Sequence, residues 1–335
     1  MILSLGVNPV RRRDFITFVS SGAAWPLAAR AQTPMPLVGF LNPYPETDPD
    51  LNDWFLAFKL RLREHGWTDG RNLRLEIRFV GHDDEPARQA TAELIALAPA
   101  AIVSTTSTTN RAVFAATRNI PIIAAVIGDP LALGFTKSMS HPSANITGFT
   151  TFNDALAGKR VEMLREMIPN IRKAALLWVP VNPQQVLLAT QTAEAAKVAG
   201  LELLSLPLKV ADDITPALAK AQEEQATAVI IAADPLTLTH HRAIIDECMM
   251  RKLPAMHTFV FEVRHGALMG YGVDVSENYR RAADYVDRIL RGAKIADLPF
   301  QEPTNMTLAI NLRTARAIQI AVPPSLLTFA AEVVE

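Results

Sequence analysis

A single cysteine, Cys248, stands in the whole 335-residue chain, so no internal disulfide can form. It sits beside Met249 and Met250 in an apolar-periodic stretch, with no local cation to favour the thiolate, and reads as a buried packing thiol. Charge of one sign is also missing. There are 33 bases and 34 acids, for a net charge of −1. Without residues 1–31, which hold four bases and one acid, the rest carries −4, from 29 bases and 33 acids. Nothing in that balance suggests a nucleic-acid surface, and it suits a freely diffusing protein. The arginines Arg61, Arg63, Arg71, Arg74 and Arg78 have only Trp67 and Phe79 among them, too few aromatics for a base-stacking groove, and read as a solvated face.

The usual marks of catalysis are absent too. There is no G-x-S-x-G elbow and no glycine-rich phosphate loop, since Gly70 and Gly81 stand alone. His240 and His241 are adjacent, face different ways on a helix, have no third ligand at metal spacing, and read as surface or capping residues. No nucleophile–base pair with His257 or His265 is evident. The expectation is a protein that is not an enzyme and needs no cofactor or metal.

What is present begins with an address. Arg11-Arg12-Arg13-Asp14-Phe15 opens a short apolar stretch interrupted by Ser20, Ser21, Gly22 and Pro26, and the stretch closes on Ala29-Arg30-Ala31. A basic start, a brief apolar middle and an A-x-A end make an export signal of twin-arginine type over residues 1–31. The apolar part is too short and broken to span a bilayer.

Beyond it, 49% apolar and 20% charged residues describe a globular chain, too long for one ordinary core and suited to two lobes. Strand and helix patterns alternate. Strands are expected at 37–41, 73–80, 101–104, 121–127 and 145–149, then at 174–179, 202–206, 228–233, 254–257, 267–273 and 305–310. Helices are expected between them, among them 85–98, 111–117, 159–167, 184–199, 213–225 and 238–251. A further amphipathic helix, 279–290, has Ser276 as its cap and Gly292 behind it. Two such runs mean two Rossmann-like α/β lobes with parallel sheets.

Ligands in such sheets sit beyond the carboxyl ends of the strands. The residues there are Asn42 and Tyr44, Thr105, Thr106 and Ser107, Asp129, Asn182, Asp234 and Asp274. Hydroxyls at a helix start suit an anion, and carboxylates suit an amine, so the set points to an amino-acid-like ligand. The plainer reading stands beside it: Asp129 and Asp234 each precede proline, and these residues, Asp274 and the hydroxyl run can simply cap helices.

The segments LVGFLN, IPIIAAVIGDPLALGF, HPSANITGFT, AVIIAADPL and GYGVDVSENYRRAADYVDRILRGAKIADLPFQ, with NMTLAINLRTARAIQI near the end, occur in that order. Together they resemble the ABC-transporter substrate-binding proteins related to tryptophan- and tyrosine-binding receptors, over about residues 36 to 327. The resemblance implies a type I periplasmic-binding fold with a three-strand hinge crossing near 145–149, near 268–271 and just after Phe300. It implies an N-terminal lobe of 36–147 plus 272–300 and a C-terminal lobe of 148–271 plus 301–335. It also implies a monomeric periplasmic receptor that closes on a small-molecule ligand, an amino acid or an aromatic or organic acid, and delivers it to an ABC permease in the inner membrane. An exported sensing subunit for a signalling receptor is the alternative role. The chain departs from the aromatic-amino-acid receptors at Pro180-Val181-Asn182-Pro183 and at Val275, so the ligand's identity is not carried over.

Overall fold

The computed structural model describes residues 35–335 apart from Pro45, Thr47, His82, 152–155 and Thr304. The export signal expected at 1–31 lies outside the described residues.

Two sheets organise the chain. The first contains β1 (Leu37–Asn42), β2 (Arg74–Phe79), β3 (Ala101–Ser104), β4 (Ile122–Ile127) and β5 (Ile146–Thr150) in the order β2-β1-β3-β4-β5. All its pairings are parallel. β1, β3 and β4 are apolar runs buried along nearly their whole length, as interior parallel strands must be. β2 is the edge, and its alternating Arg74, Glu76 and Arg78 keep that edge solvated.

The second sheet contains β6 (Lys173–Trp178), β7 (Glu202–Pro207), β8 (Val229–Ile231), β9 (Ala255–His257), β10 (Met269–Gly272), β11 (Thr307–Asn311) and β12 (Glu332–Val334). Their order is β12-β11-β10-β9-β8-β6-β7. β11 runs antiparallel to β10, the one exception to parallel pairing among the described strands. The chain returns to this sheet from the carboxyl-end side, so its next strand must run back.

The helices between strands are α1 (Pro49–Glu64), α2 (Asp84–Ala96) and α3 (Ser107–Ala116) in the first half. In the second half come α4 (Ala157–Met167), α5 (Pro183–Val198), α6 (Ile214–Glu223), α7 (Pro235–Thr239), α8 (His241–Met250) and α9 (Val260–Arg264). Then come α10 (Val275–Leu290), α11 (Leu312–Ala317) and α12 (Pro324–Phe329). Leu51, Trp54, Phe55, Phe58 and Leu62 recur in the sequence at helical spacing and form one buried stripe of α1.

Although α10 follows a strand of the second sheet, it packs on the first. Tyr279, Ala282, Ala283 and Val286 join the core of Phe40 and Phe58. Arg61 Nε donates to Asp284 Oδ1 at 2.6 Å, and Trp67 Nε1 to Asp287 Oδ1 at 2.8 Å, so polar bonds tie α10 to α1 and to the loop after it. The chain therefore passes between the sheets three times: after Thr150, after Gly272, and at Phe300–Gln301, where Gln301 bridges Phe149. The structure is two α/β lobes with largely parallel sheets.

Several local expectations are corrected. The hydroxyl run does open a helix, with Thr106 its cap, but α3 begins at Ser107 rather than at 111. The helix expected over 238–251 is two helices meeting at His240. Asp274, not Ser276, caps α10, its side chain accepting the Ser276 N–H. His241 is buried rather than exposed: its Nδ1 lies 2.7 Å from the Leu238 carbonyl and its Nε2 3.1 Å from His265 Nδ1. The short elements α9, α11, α12 and β12 were not expected.

Two outcomes follow for the fold. A β-carbon on Gly148 would lie 2.1 Å from the Ala124 carbonyl oxygen on the neighbouring strand. Gly148→Ala should therefore cost about 1–3 kcal/mol, read as a lower urea midpoint. Burial pushes the Cys248 thiol up to about 12. At pH 8 iodoacetamide should leave the native thiol unmodified and alkylate it only after unfolding, as mass spectrometry would detect.

Candidate functional site

In the first sheet the strand order reverses between β1 and β3. In the second it reverses between β6 and β8, since β7 lies on one side of β6 and β8, β9 and β10 on the other. Connections leaving two such neighbours diverge, and a crevice opens beyond their carboxyl ends. The loops at the first crevice carry Tyr44 and Thr105–Ser107, and those at the second carry Asn182 and Asp234. All six line one cavity with Trp54, Val126, Thr151, Gln184, Ala233, Pro235, Leu238, Phe259 and Val275.

Its polar side is built by helix starts. Thr106 Oγ1 accepts the Thr109 N–H, and Thr109 Oγ1 accepts the N–H groups of Thr105 and Thr106, which fixes the first turn of α3. Thr105 Oγ1 donates to the Leu41 carbonyl at 3.1 Å, stitching the two loops of the first crevice together. In the second crevice Asn182 Nδ2 donates to Asp234 Oδ2 at 2.9 Å. Asp234 Oδ1 accepts the Leu236 N–H at 3.0 Å, with Pro235 setting the first turn of α7. Asn182 Oδ1 accepts the Gln184 N–H at 3.1 Å at the start of α5. Asp234 is only 4% exposed, and the Asn182 amide and the Leu236 N–H fix its carboxyl close to the cavity.

The other side is aromatic. Trp54 meets Tyr44 edge to face at 5.5 Å, Phe259 at 6.1 Å and Phe261 at 5.1 Å. Burial, then the neighbouring Tyr279 and the Asp234 carboxylate, push the Tyr44 phenol well above its usual range. Burial raises the Tyr279 phenol as well, against a hydrogen bond with Thr105.

The cavity measures about 40 Å³, room for a few waters. A groove of about 220 Å³ adjoins it past Trp54, Phe259 and Val275, edged by Asp53, Arg264, His265, Asp274 and Glu332.

Of the nine residues expected from the sequence, three do not line the cavity. Asn42 is buried behind it, with Oδ1 accepting the Tyr44 N–H at 3.2 Å. Asp129 follows β4, one strand beyond the reversal, and its Oδ1 accepts the N–H groups of Leu131 and Ala132. The capping alternative describes it. Asp274 follows β10, two strands beyond β8, and edges the adjoining groove. Sequence reasoning missed Trp54, Thr151, Gln184 and Phe259. Trp54 sat in an apolar stripe that reads as core. Thr151 lies one residue past a strand end, the same signal that selected the others.

Two lobes with facing crevices at their sheet reversals are the architecture of the type I periplasmic-binding fold. The chain belongs to the ABC transporter substrate binding protein family, whose model matches residues 49–334. It is similar to the tyrosine-binding protein of Clostridioides difficile strain R20291, at 19% identity over 272 residues, 81% of this chain and 78% of that one. Among solved structures, a conserved domain protein from Vibrio cholerae O1 superposes with a TM-score of 0.83 at 22% identity, over 89% of this chain and 99% of that one. A Streptococcus pneumonia ABC domain in complex with L-Trp gives 0.80 at 20% identity, over 89% and 100%.

Thr151 Oγ1 lines the cavity, is fully buried, and has no hydrogen-bond partner among the described residues. An unmet buried hydroxyl costs about 1–3 kcal/mol. Without added solute, Thr151→Val should therefore raise the thermal midpoint, by roughly 2–4 °C for each kcal/mol recovered. A lowered midpoint in differential scanning calorimetry would mean the hydroxyl is satisfied.

Proposed function

We propose that this protein is the extracytoplasmic solute receptor of an ABC importer and that its ligand is amino-acid-like. The observation that carries the reading is the convergence of the Asp234 carboxylate, the Asn182 amide and the hydroxyls of Thr105, Thr106 and Ser107 on one cavity, from loops far apart in sequence. A carboxylate fixed by the Asn182 amide and the Leu236 N–H suits a ligand ammonium. The start of α3 suits a ligand carboxylate. An apolar or aromatic ligand side chain would run past Trp54 and Phe259 into the adjoining groove. The family relatives named for tyrosine and bound to tryptophan agree with that chemistry.

At about 40 Å³ the cavity cannot admit such a ligand as it stands. Access therefore requires the lobes, 36–147 plus 272–300 and 148–271 plus 301–335, to part about the three crossings. Ligand bound to one lobe then gains contacts from the other, and the closed form gains population by that difference in affinity alone. In this reading the N-terminal signal exports the chain to the periplasm, where it acts as a monomer and docks on an inner-membrane permease. No helix among the described residues is long and apolar enough to cross a membrane. The exported sensing role remains the alternative, and no feature of the cleft favours it.

Isothermal calorimetry with L-tryptophan and L-tyrosine tests the reading. One of the two should bind. Asp234→Asn, which keeps the shape of the cap, should weaken that binding roughly 10- to 100-fold, about 1.4–2.7 kcal/mol, with the fold intact. Equal affinity in the variant would remove Asp234 from the ligand's ammonium site.

A further inference from the structure

Ser107 opens α3 on the first lobe, and Gln184 stands in the first turn of α5 on the second. Ser107 Oγ donates to Gln184 Oε1 at 2.6 Å, a direct hydrogen bond across the cleft. The Gln184 side chain reaches it by lying over Gly128, just past β4. A β-carbon on Gly128 would sit 2.6 Å from Gln184 Cδ, 2.7 Å from Nε2 and 3.0 Å from Cγ. Gly128 is not among the residues with positive φ, so its backbone does not require glycine. The space taken by the carboxamide does. On its own lobe Gln184 is anchored through its backbone to Asn182, and Asn182 to Asp234. A hydrogen-bonded run thus crosses the cavity wall from Ser107 to Asp234, made of this chain's own groups and needing no solute.

We propose that Gln184 is a latch, with Gly128 as its slot, that holds the cleft closed when no solute is bound, so that solute gains access only when the Ser107 bond breaks. The proposal rests on the hinge-closing reading above and adds that closure is partly built in. One net hydrogen bond shifts a two-state equilibrium by roughly two- to tenfold, enough to set the resting population without locking it.

The test measures electron–electron distances between nitroxide labels on Leu131→Cys and Val181→Cys, exposed positions in the loops after β4 and β6. It uses the full chain, refolded from urea to strip bound solute. Cys248 is buried and escapes labelling. In the otherwise unaltered protein a short distance should dominate. Gln184→Ala should move population to a longer distance, changing the closed-to-open ratio two- to tenfold, and Gly128→Ala should do the same. A long distance dominating without either substitution, or a distribution that Gln184→Ala leaves unchanged, overturns the latch. If Gly128→Ala does not fold, Gln184→Ala alone decides. Because no ligand enters the measurement, its failure is separate from failure of the calorimetric test of Asp234.

Discussion

The structure depends on one constraint of parallel sheets. When a chain lays its first strand in the middle, builds one way and then reverses, the two strands at the reversal send their connections to opposite faces. Nothing covers the gap between them, and the loop tips there are left facing outward with unpaired backbone groups. Each lobe has one such reversal, β1 against β3 and β6 against β8. Setting the two gaps against each other encloses a space walled by four loops, which is why Tyr44, Thr105–Ser107, Asn182 and Asp234 meet. Loops one or two strands away, after β4 and β10, do not reach the same wall with their aspartates.

In the proposed reading the polar groups in that wall each have two tasks, and the tasks do not compete. Asp234 uses one oxygen for the Leu236 N–H and the other for Asn182. An ionised carboxylate has about four acceptor positions, more than these two bonds fill. Capping fixes the direction of the side chain before any ligand arrives, and that ordering need not be repeated on binding. The same holds for Thr106, whose hydroxyl is held by the first turn of the helix it caps. The capping and binding readings of these residues, which look like rivals in the sequence, are compatible in space.

That difference explains how much was legible beforehand. Strand ends followed by Asp-Pro or by a hydroxyl run are local signals, and they located the loops. Strand order is not local: no pattern in the chain distinguishes the loop after β4 from the loop after β8, so Asp129 and Asp234 looked equivalent. Trp54 and Phe259 were hidden for another reason. They are buried as deeply as ordinary core residues, at 4% exposed each, and only the approach of the other lobe makes them a wall. Gln184 stood inside a helical pattern and offered nothing to separate it from Gln185, which instead donates to the Ala233 carbonyl within its own lobe.

The aromatic wall also bears on what a solute must supply. Phe259 and Leu238 of the second lobe join the core of Phe40, Phe58 and Tyr279 in the first, so bringing the lobes together extends an existing hydrophobic cluster. In the proposed hinge motion that burial favours the closed arrangement regardless of cargo. Opposing it is the desolvation of the polar wall, where the Asp234 carboxylate is nearly dry and the Thr151 hydroxyl has no partner among the described residues. Apolar contact is thus largely provided by the protein, while on the polar side the Thr151 hydroxyl is left unmet among the described residues. In the proposed reading a solute gains most by meeting that hydroxyl, so selectivity should reside in its polar head, with its apolar portion adding affinity more than discrimination.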